Sequence, residues 1–342
     1  MKPTIRDIAE RAGVSKTSVS FAFNDPSRLP QETVQRILAV ADELGYMPNP
    51  LARSMTSKRT GNLGMLFPQP LQEILKNLYT LELLRGVGHV CDEHGYNLVL
   101  VSPLLGSMRH AVSHAVVDGF LTIGLEHYKS TVLLLDKREI PYVMVDSEPY
   151  VGAACVNIDD SAGAYEAMYH VLANGHRRIA ILGIQSGKHG HFEEYVGTIA
   201  YRVQGYRRAL NEFGLDIDQK TVRLVECPCT QAGGYQAMKQ LARWKPTAVV
   251  AMADIIAAGA IDAAVELGIQ VPAQLSIVGY DDLPLARWLN PPLTTVAQPT
   301  FEKAQYATRL LLEIMDGKSA EKEHMFATQL VERASVARVA PQ

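Results

Sequence analysis

From residue 62 to residue 282 the chain repeats one pattern: a short, continuously apolar, β-branched run followed by a longer amphipathic stretch. The runs are NLGMLFP (62–68), YNLVLVSP (96–103), VDGFLTIG (117–124), PYVMVD (141–146), ACVNID (154–159), RIAILGI (178–184), TVRLVEC (221–227), TAVVAMA (247–253) and LSIVGYDD (275–282). A strand without polar alternation is buried on both faces, as in a parallel sheet covered by helices, and segments 161–174, 200–213, 231–243 and 255–267 carry helical periodicity. The pattern predicts a doubly wound α/β body. So many strands overfill one open sheet, so two Rossmann-like lobes are expected, with a ligand cleft where carboxyl ends of strands meet.

The first sixty residues read differently. Helical patterns run from Ile5 to Ala12, Lys16 to Asn24 and Gln31 to Leu44, with no strand signal between them. Thr4-x-x-Asp7 forms a capping box for the first helix, Gly13 suits a left-handed C-terminal position, and Ser15 can cap the second. Two helices joined by so short a glycine turn make a helix-turn-helix, with Ala9 permitting close crossing and Ile8, Val14 and Val19 between the helices. The other face of the second helix offers hydroxyls and Lys16, groups that suit base edges and phosphates in a major groove. The same pattern also fits a small solvated helical subdomain. Charge adds to the first reading: residues 1–60 hold nine basic groups against six acidic ones, in a chain whose net charge is −3. A basic head on an acidic body suits a polyanion-binding module joined to a part with another task.

Several classes are set aside. The four cysteines (Cys91, Cys155, Cys227, Cys229) are too scattered for a disulfide framework, and Cys227-Pro228-Cys229 lacks the second pair or the histidines of a zinc site. His189 and His191 stand in a Gly-rich loop that reads as solvated, so no metal and no cofactor are expected. No G-x-G-x-x-G opens a helix after a strand, no G-x-S-x-G elbow occurs, and no nucleophile or phosphate cradle accompanies the GYDD carboxylates. An enzyme is therefore not expected. The chain shows no secretory leader and no uninterrupted 18-residue apolar segment, so a cytoplasmic protein without membrane contact is expected. A transported-solute binding protein would share the body but would require such a leader.

TIRDIAERAGVSKTSVSFAFN and QETVQRILAVADELGYMPNPLARSM resemble the DNA-binding headpiece and hinge of the LacI/GalR family of bacterial transcriptional regulators. The resemblance continues through NLYTLELLRG, VDGFL, GHRRIAILG, YRVQGYRRAL, GGYQAM, PTAVVAM, LGIQVPAQLSIVGYDD and PPLTTVAQP, all in the family's order. It implies a headpiece over 1–48, a hinge helix and linker over 49–60, and a two-lobed effector-binding and dimerisation body over 61–342 with the type I periplasmic-binding-protein fold. Partners would be operator DNA, bound by a homodimer, and a small effector, a sugar or related metabolite. Repression relieved by ligand is the commoner arrangement in the family; a ligand-dependent activator or co-repressed regulator is the alternative. No leucine-heptad pattern follows residue 330, so a tetramer through a C-terminal bundle is not expected.

The resemblance also nominates residues. Lys16, Thr17 and Phe21 would read bases; most members carry Arg, His or another polar residue where this chain has Phe21, which would touch a thymine methyl or a sugar. Thr4, Ser15, Ser18, Ser20 and Thr33 would contact phosphates or only cap helices. In NPLARSM, Asn49, Ala52 and Arg53 match the family's hinge, and Met55 takes the place of the usual Leu wedge that kinks DNA from the minor groove. In the body, Tyr79 would stack on the ligand, Thr198 and Arg202 would supply polar contacts from the second lobe, and Cys229 stands where many members have an aromatic. Asp254 follows Ala253 where the family commonly shows Asn-Asp, and Asp281 matches the carboxylate that accepts ligand hydroxyls.

Overall fold

The structure, a computed structural model, describes residues 3–47, 59–124, 129–185, 195–217, 220–318 and 322–339. Asn49, Ala52, Arg53 and Met55, and the loop with His189 and His191, lie outside the described residues. The chain divides into two compact units, Met1–Thr60 and Gly61–Gln342.

In the first unit, helix α1 (Ile5–Ala12) starts where the Asp7 carboxylate accepts from both the N–H and the hydroxyl of Thr4, each at 2.8 Å. Those donors hold the Asp7 carboxyl below its usual range. Gly13 ends the helix in the left-handed region at φ 66°, a conformation that L side chains rarely adopt. The Ser15 hydroxyl then accepts from Ser18 N–H at 3.0 Å and starts α2 (Lys16–Asn24). With α3 (Gln31–Glu43) these helices enclose a small core of Ile8, Ala9, Ala12, Val19, Ala22, Ile37 and Ala41, with Val14, Phe23 and Tyr46 packed against it.

The second unit holds two parallel-type sheets, six strands each among the described residues. The first has the order β11-β5-β4-β3-β1-β2, from β1 (Asn62–Leu66), β2 (Asn97–Val101), β3 (Gly119–Ile123), β4 (Tyr142–Val145), β5 (Ala154–Ile158) and β11 (Glu323–Phe326). The second has the order β12-β10-β9-β8-β6-β7, from β6 (Ile179–Ile184), β7 (Val222–Cys227), β8 (Ala248–Ala251), β9 (Ser276–Asp281), β10 (Thr294–Ala297) and β12 (Gln329–Val331). All pairs are parallel except β10 with β12. Every residue of β3 and β9 is buried, as continuous apolar runs require.

Helices cover both faces. Around the first sheet lie α4 (Leu71–Lys76), α5 (Leu78–His94), α6 (Met108–His114), α7 (Lys129–Lys137) and α13 (Thr300–Met315). Around the second lie α8 (Asp160–Ala173), α9 (Gly197–Glu212), α10 (Gln231–Leu241), α11 (Asp254–Glu266) and the short α12 (Leu285–Trp288). The chain passes from the first lobe to the second after β5, returns after β10, and crosses again between β11 and β12. Helices α10 and α11 pack through glycines: a Cβ on Gly259 would lie 1.9 Å from the Gln231 carbonyl oxygen, and one on Gly234 would lie 2.1 Å from that of Ile256.

Candidate functional site

Helix α2 sorts its own polar groups. The Ser15 and Ser18 hydroxyls bond each other at 2.9 Å within the cap, and the Ser20 hydroxyl accepts from Asn24 Nδ2 at 3.2 Å. Thr4 is engaged by Asp7. Lys16 and Thr17 are exposed and make no side-chain hydrogen bond to any described residue, and half-buried Thr33 makes none either. The Arg28 guanidinium sits 5.1 Å from the centre of the half-buried Phe21 ring, while Arg28 Nε donates to Asp25 at 2.7 Å. The helix therefore leaves Lys16 and Thr17 as uncommitted donors, beside an aromatic face already shared with a cation.

In the body, buried charge gathers where the carboxyl ends of both sheets meet, the edge at which open α/β sheets bind ligands. Asp146 directly follows β4 and Asp281 ends β9, and both hold positive φ, 52° and 117°. Non-glycine residues adopt that backbone at a cost and cluster at ligand clamps. Gln298, after β10, donates from Nε2 to Asp281 Oδ1 at 2.6 Å. Its carbonyl oxygen accepts at 3.1 Å from Lys303 Nζ, which also donates to Asp146 Oδ1 at 2.5 Å and to the Tyr79 hydroxyl at 2.8 Å. Tyr79, on the first turn of α5, donates its own proton to the other oxygen of Asp146. One hydrogen-bonded chain thus runs from Asp146 in the first lobe to Asp281 in the second.

Arg202 on α9 completes the cluster. Its Nε donates to Asp160 Oδ1 at 2.7 Å, its Nη1 donates to the Met252 carbonyl at 2.6 Å, and its guanidinium lies 3.7 Å from the centre of the Tyr280 ring. Burial raises the Asp160 carboxyl above its usual range against the pull of Arg202. Burial also pushes Asp281 up to about 7, although Arg202 and the Gln298 hydrogen bond oppose the shift. The neighbouring Cys229 thiol goes up to about 12, by burial and then by the Asp281 charge.

The nominated residues therefore separate. Tyr79, Arg202, Cys229 and Asp281 meet in one electrostatic cluster. Thr198 stands one turn before Arg202, half-buried and without a described partner. Asp254 is fully buried at the start of α11, with both oxygens occupied: Thr295 Oγ1 donates at 2.5 Å and Leu283 N–H at 2.8 Å. Gly279 makes room for that carboxylate, since a Cβ there would lie 2.2 Å from Asp254 Oδ1. Sequence reasoning missed Asp146, Asp160, Gln298 and Lys303. Asp146 carried a usable signal, because it closes the run PYVMVD as Asp281 closes LSIVGYD.

Two family models match the chain. The one described as "Bacterial regulatory proteins, lacI family" covers residues 4–49, and the one described as "Periplasmic binding protein-like domain" covers residues 168–336. The HTH-type transcriptional repressor PurR of Vibrio vulnificus is 32% identical over 93% of this chain and 94% of its own length. The HTH-type transcriptional regulator DegA of Bacillus subtilis is 33% identical over 98% of both chains. Among solved structures, a transcriptional regulator CelR–cellobiose complex superposes with a TM-score of 0.69 at 27% identity, over 97% of this chain and 99% of the other. A helix-turn-helix with free donors and a two-lobed α/β body, matched end to end by such regulators, place this chain in the lacI family of bacterial regulatory proteins.

Proposed function

We propose that the protein is a homodimeric repressor that holds operator DNA through its headpiece and releases it when a sugar or related metabolite binds between the lobes of its body. The observation that carries this reading is the strained, buried Asp281, joined through Gln298 and Lys303 to Asp146 of the other lobe. A ligand that inserts there must alter bonds that span both lobes, and so biases their relative angle. The cellobiose complex of a relative supports the sugar class. For the dimer, Trp288 on α12 and Val265 on the adjoining α11 are 80% and 69% exposed, apolar surface of the kind a subunit interface covers.

The test is binding to the protein's own promoter region. Affinity should exceed that for scrambled DNA and fall with salt by roughly one unit of log K per log unit of salt for each phosphate neutralised. Equal affinity for both DNAs would remove the repressor reading.

Two substitutions probe the DNA contacts. Phe21→Arg changes operator preference rather than only weakening binding, because a bidentate Arg on guanine contributes about 1–3 kcal/mol at one base pair while Phe offers apolar contact alone. Selection from randomised operators reads this as a shift at one symmetric position, and an unchanged consensus takes residue 21 off the DNA. Met55→Ala lowers operator affinity while nonspecific binding stays nearly intact, since a wedge acts only on a kinked step. A bend assay with both proteins decides it: equal bending excludes Met55 as the wedge.

A further inference from the structure

Lys303 stands in the first turn of α13 on the buried stripe that continues through Ala304, Ala307, Leu310 and Leu311, and its own side chain is fully buried. A buried ion pair contributes little to stability compared with an apolar residue of similar volume, so an ammonium at this place calls for a purpose other than packing. Its surroundings supply one. Asp146 and Asp254 have both carboxylate oxygens bonded within the protein, and Asp160 is held by Arg202, whereas Asp281 is bonded by the neutral Gln298 amide alone and its second oxygen bonds no described residue. Donors, by contrast, are in surplus. The second terminal nitrogen of Arg202 bonds no described residue. The Tyr206 hydroxyl, one turn further along α9, is fully buried and bonds no described residue. It lies within the electrostatic reach of Arg202, Asp160 and Asp281.

We propose that the effector is a polyhydroxy monocarboxylate, a sugar acid of the uronate or aldonate type, whose carboxylate is received by Lys303, Arg202 and Tyr206 and whose hydroxyls are met by Asp281. The inference rests on the reading of this cluster as the effector site. Lys303 is the exchangeable cation: if its ammonium turns to the ligand, Asp146 keeps the Tyr79 hydroxyl and Gln298 keeps Asp281. Arg202 is not exchangeable in this way, because Asp160 and the Met252 carbonyl hold two of its nitrogens. One releasable positive charge matches one carboxylate; a phosphate dianion would call for two.

The experiment titrates D-glucuronate, D-galacturonate and D-gluconate into the full chain by calorimetry, beside D-glucose, D-galactose and glucose 6-phosphate. At least one acid should bind, and more tightly than its neutral parent by roughly ten- to a hundredfold, as a charge-assisted bond gives. Lys303→Met should erase that preference and Lys303→Arg should keep part of it. Because Lys303→Met strands a buried carboxylate, the pair Asp146→Asn with Lys303→Met, which removes both charges, serves as the folded control and should likewise lose the preference. Binding of neutral sugars alone, or preference for the sugar phosphate, overturns the acid assignment and leaves the effector site standing. Binding of no compound in the panel overturns both the acid assignment and the reading of the cluster as the effector site, and an acid preference that survives in the folded double variant overturns the role of Lys303.

Discussion

Asp281→Asn gives a protein that still binds operator DNA, ignores its effector, and is more stable than the parent above neutral pH. The loss of response follows from removing the open carboxylate of the cluster. The gain follows from linkage. Burial raises the folded-state pKa to about 7, against about 4 in an unfolded chain, so between those values the folded protein binds more protons than the unfolded one. Stability therefore falls as pH rises across that window, and above pH 7 the buried carboxylate costs up to about 4 kcal/mol. Asn carries no charge, accepts the Gln298 bond through its own oxygen, and tolerates positive φ better than most residues. Unfolding curves at pH 5 and pH 8 should show the advantage of the variant widening by roughly 2–3 kcal/mol. A constant difference would mean that Asp281 does not titrate in the folded state, and a retained effector response would remove it from the site.

Gly259→Ala destabilises the body by about 3 kcal/mol or more, lowering Tm by roughly 6–12 °C. The new methyl would meet the Gln231 carbonyl oxygen at 1.9 Å and the Tyr235 nitrogen at 2.6 Å, both backbone atoms that cannot turn aside. Relief demands that α10 and α11 separate, which opens the apolar layer holding Ala237, Met238, Ile256 and Ala260. Gly88→Ala is the control. Gly88 also lies inside a helix, but a Cβ there meets nothing within 4 Å, so the change should stabilise by about 0.5–1 kcal/mol. Equal effects at the two sites would show that helix propensity, not the crossing distance, governs both.

The body was legible because burial on two faces leaves a signature: each of the runs quoted from NLGMLFP to LSIVGYDD contains one of the strands β1 to β9. The strands β10, β11 and β12 left no such mark. EHMF and QLV sit at the sheet edges with no residue fully buried, and TTVA is short with two threonines, so none forms an apolar run. The helices of the headpiece were readable from Thr4, Gly13 and Ser15, since caps are local chemistry. Lys303 was not. A lysine in TFEKAQYATRLLLEI reads as the solvated face of an amphipathic helix, and only the return of that helix to the first lobe turns it toward Asp146 and Gln298. The same limit hid the partner of Arg202, because Asp160 lies 42 positions away and meets it through the packing of α8 on α9.

The three passages of the chain between the lobes have a bearing on how such a gene can be cut and recombined. Neither lobe is one uninterrupted stretch: the first takes α13 and β11 from beyond residue 299, and the second takes β12 from beyond residue 328. A fragment ending at β5 would expose the long edge of its sheet and the apolar seat of α13, and a fragment from α8 to β10 would lack the antiparallel strand that closes its own. Each lobe thus depends on chain segments that lie on both sides of the other. New combinations of recognition and control arise most simply by exchanging the headpiece against an entire body, whereas exchanging one lobe as a single segment would leave open sheet edges.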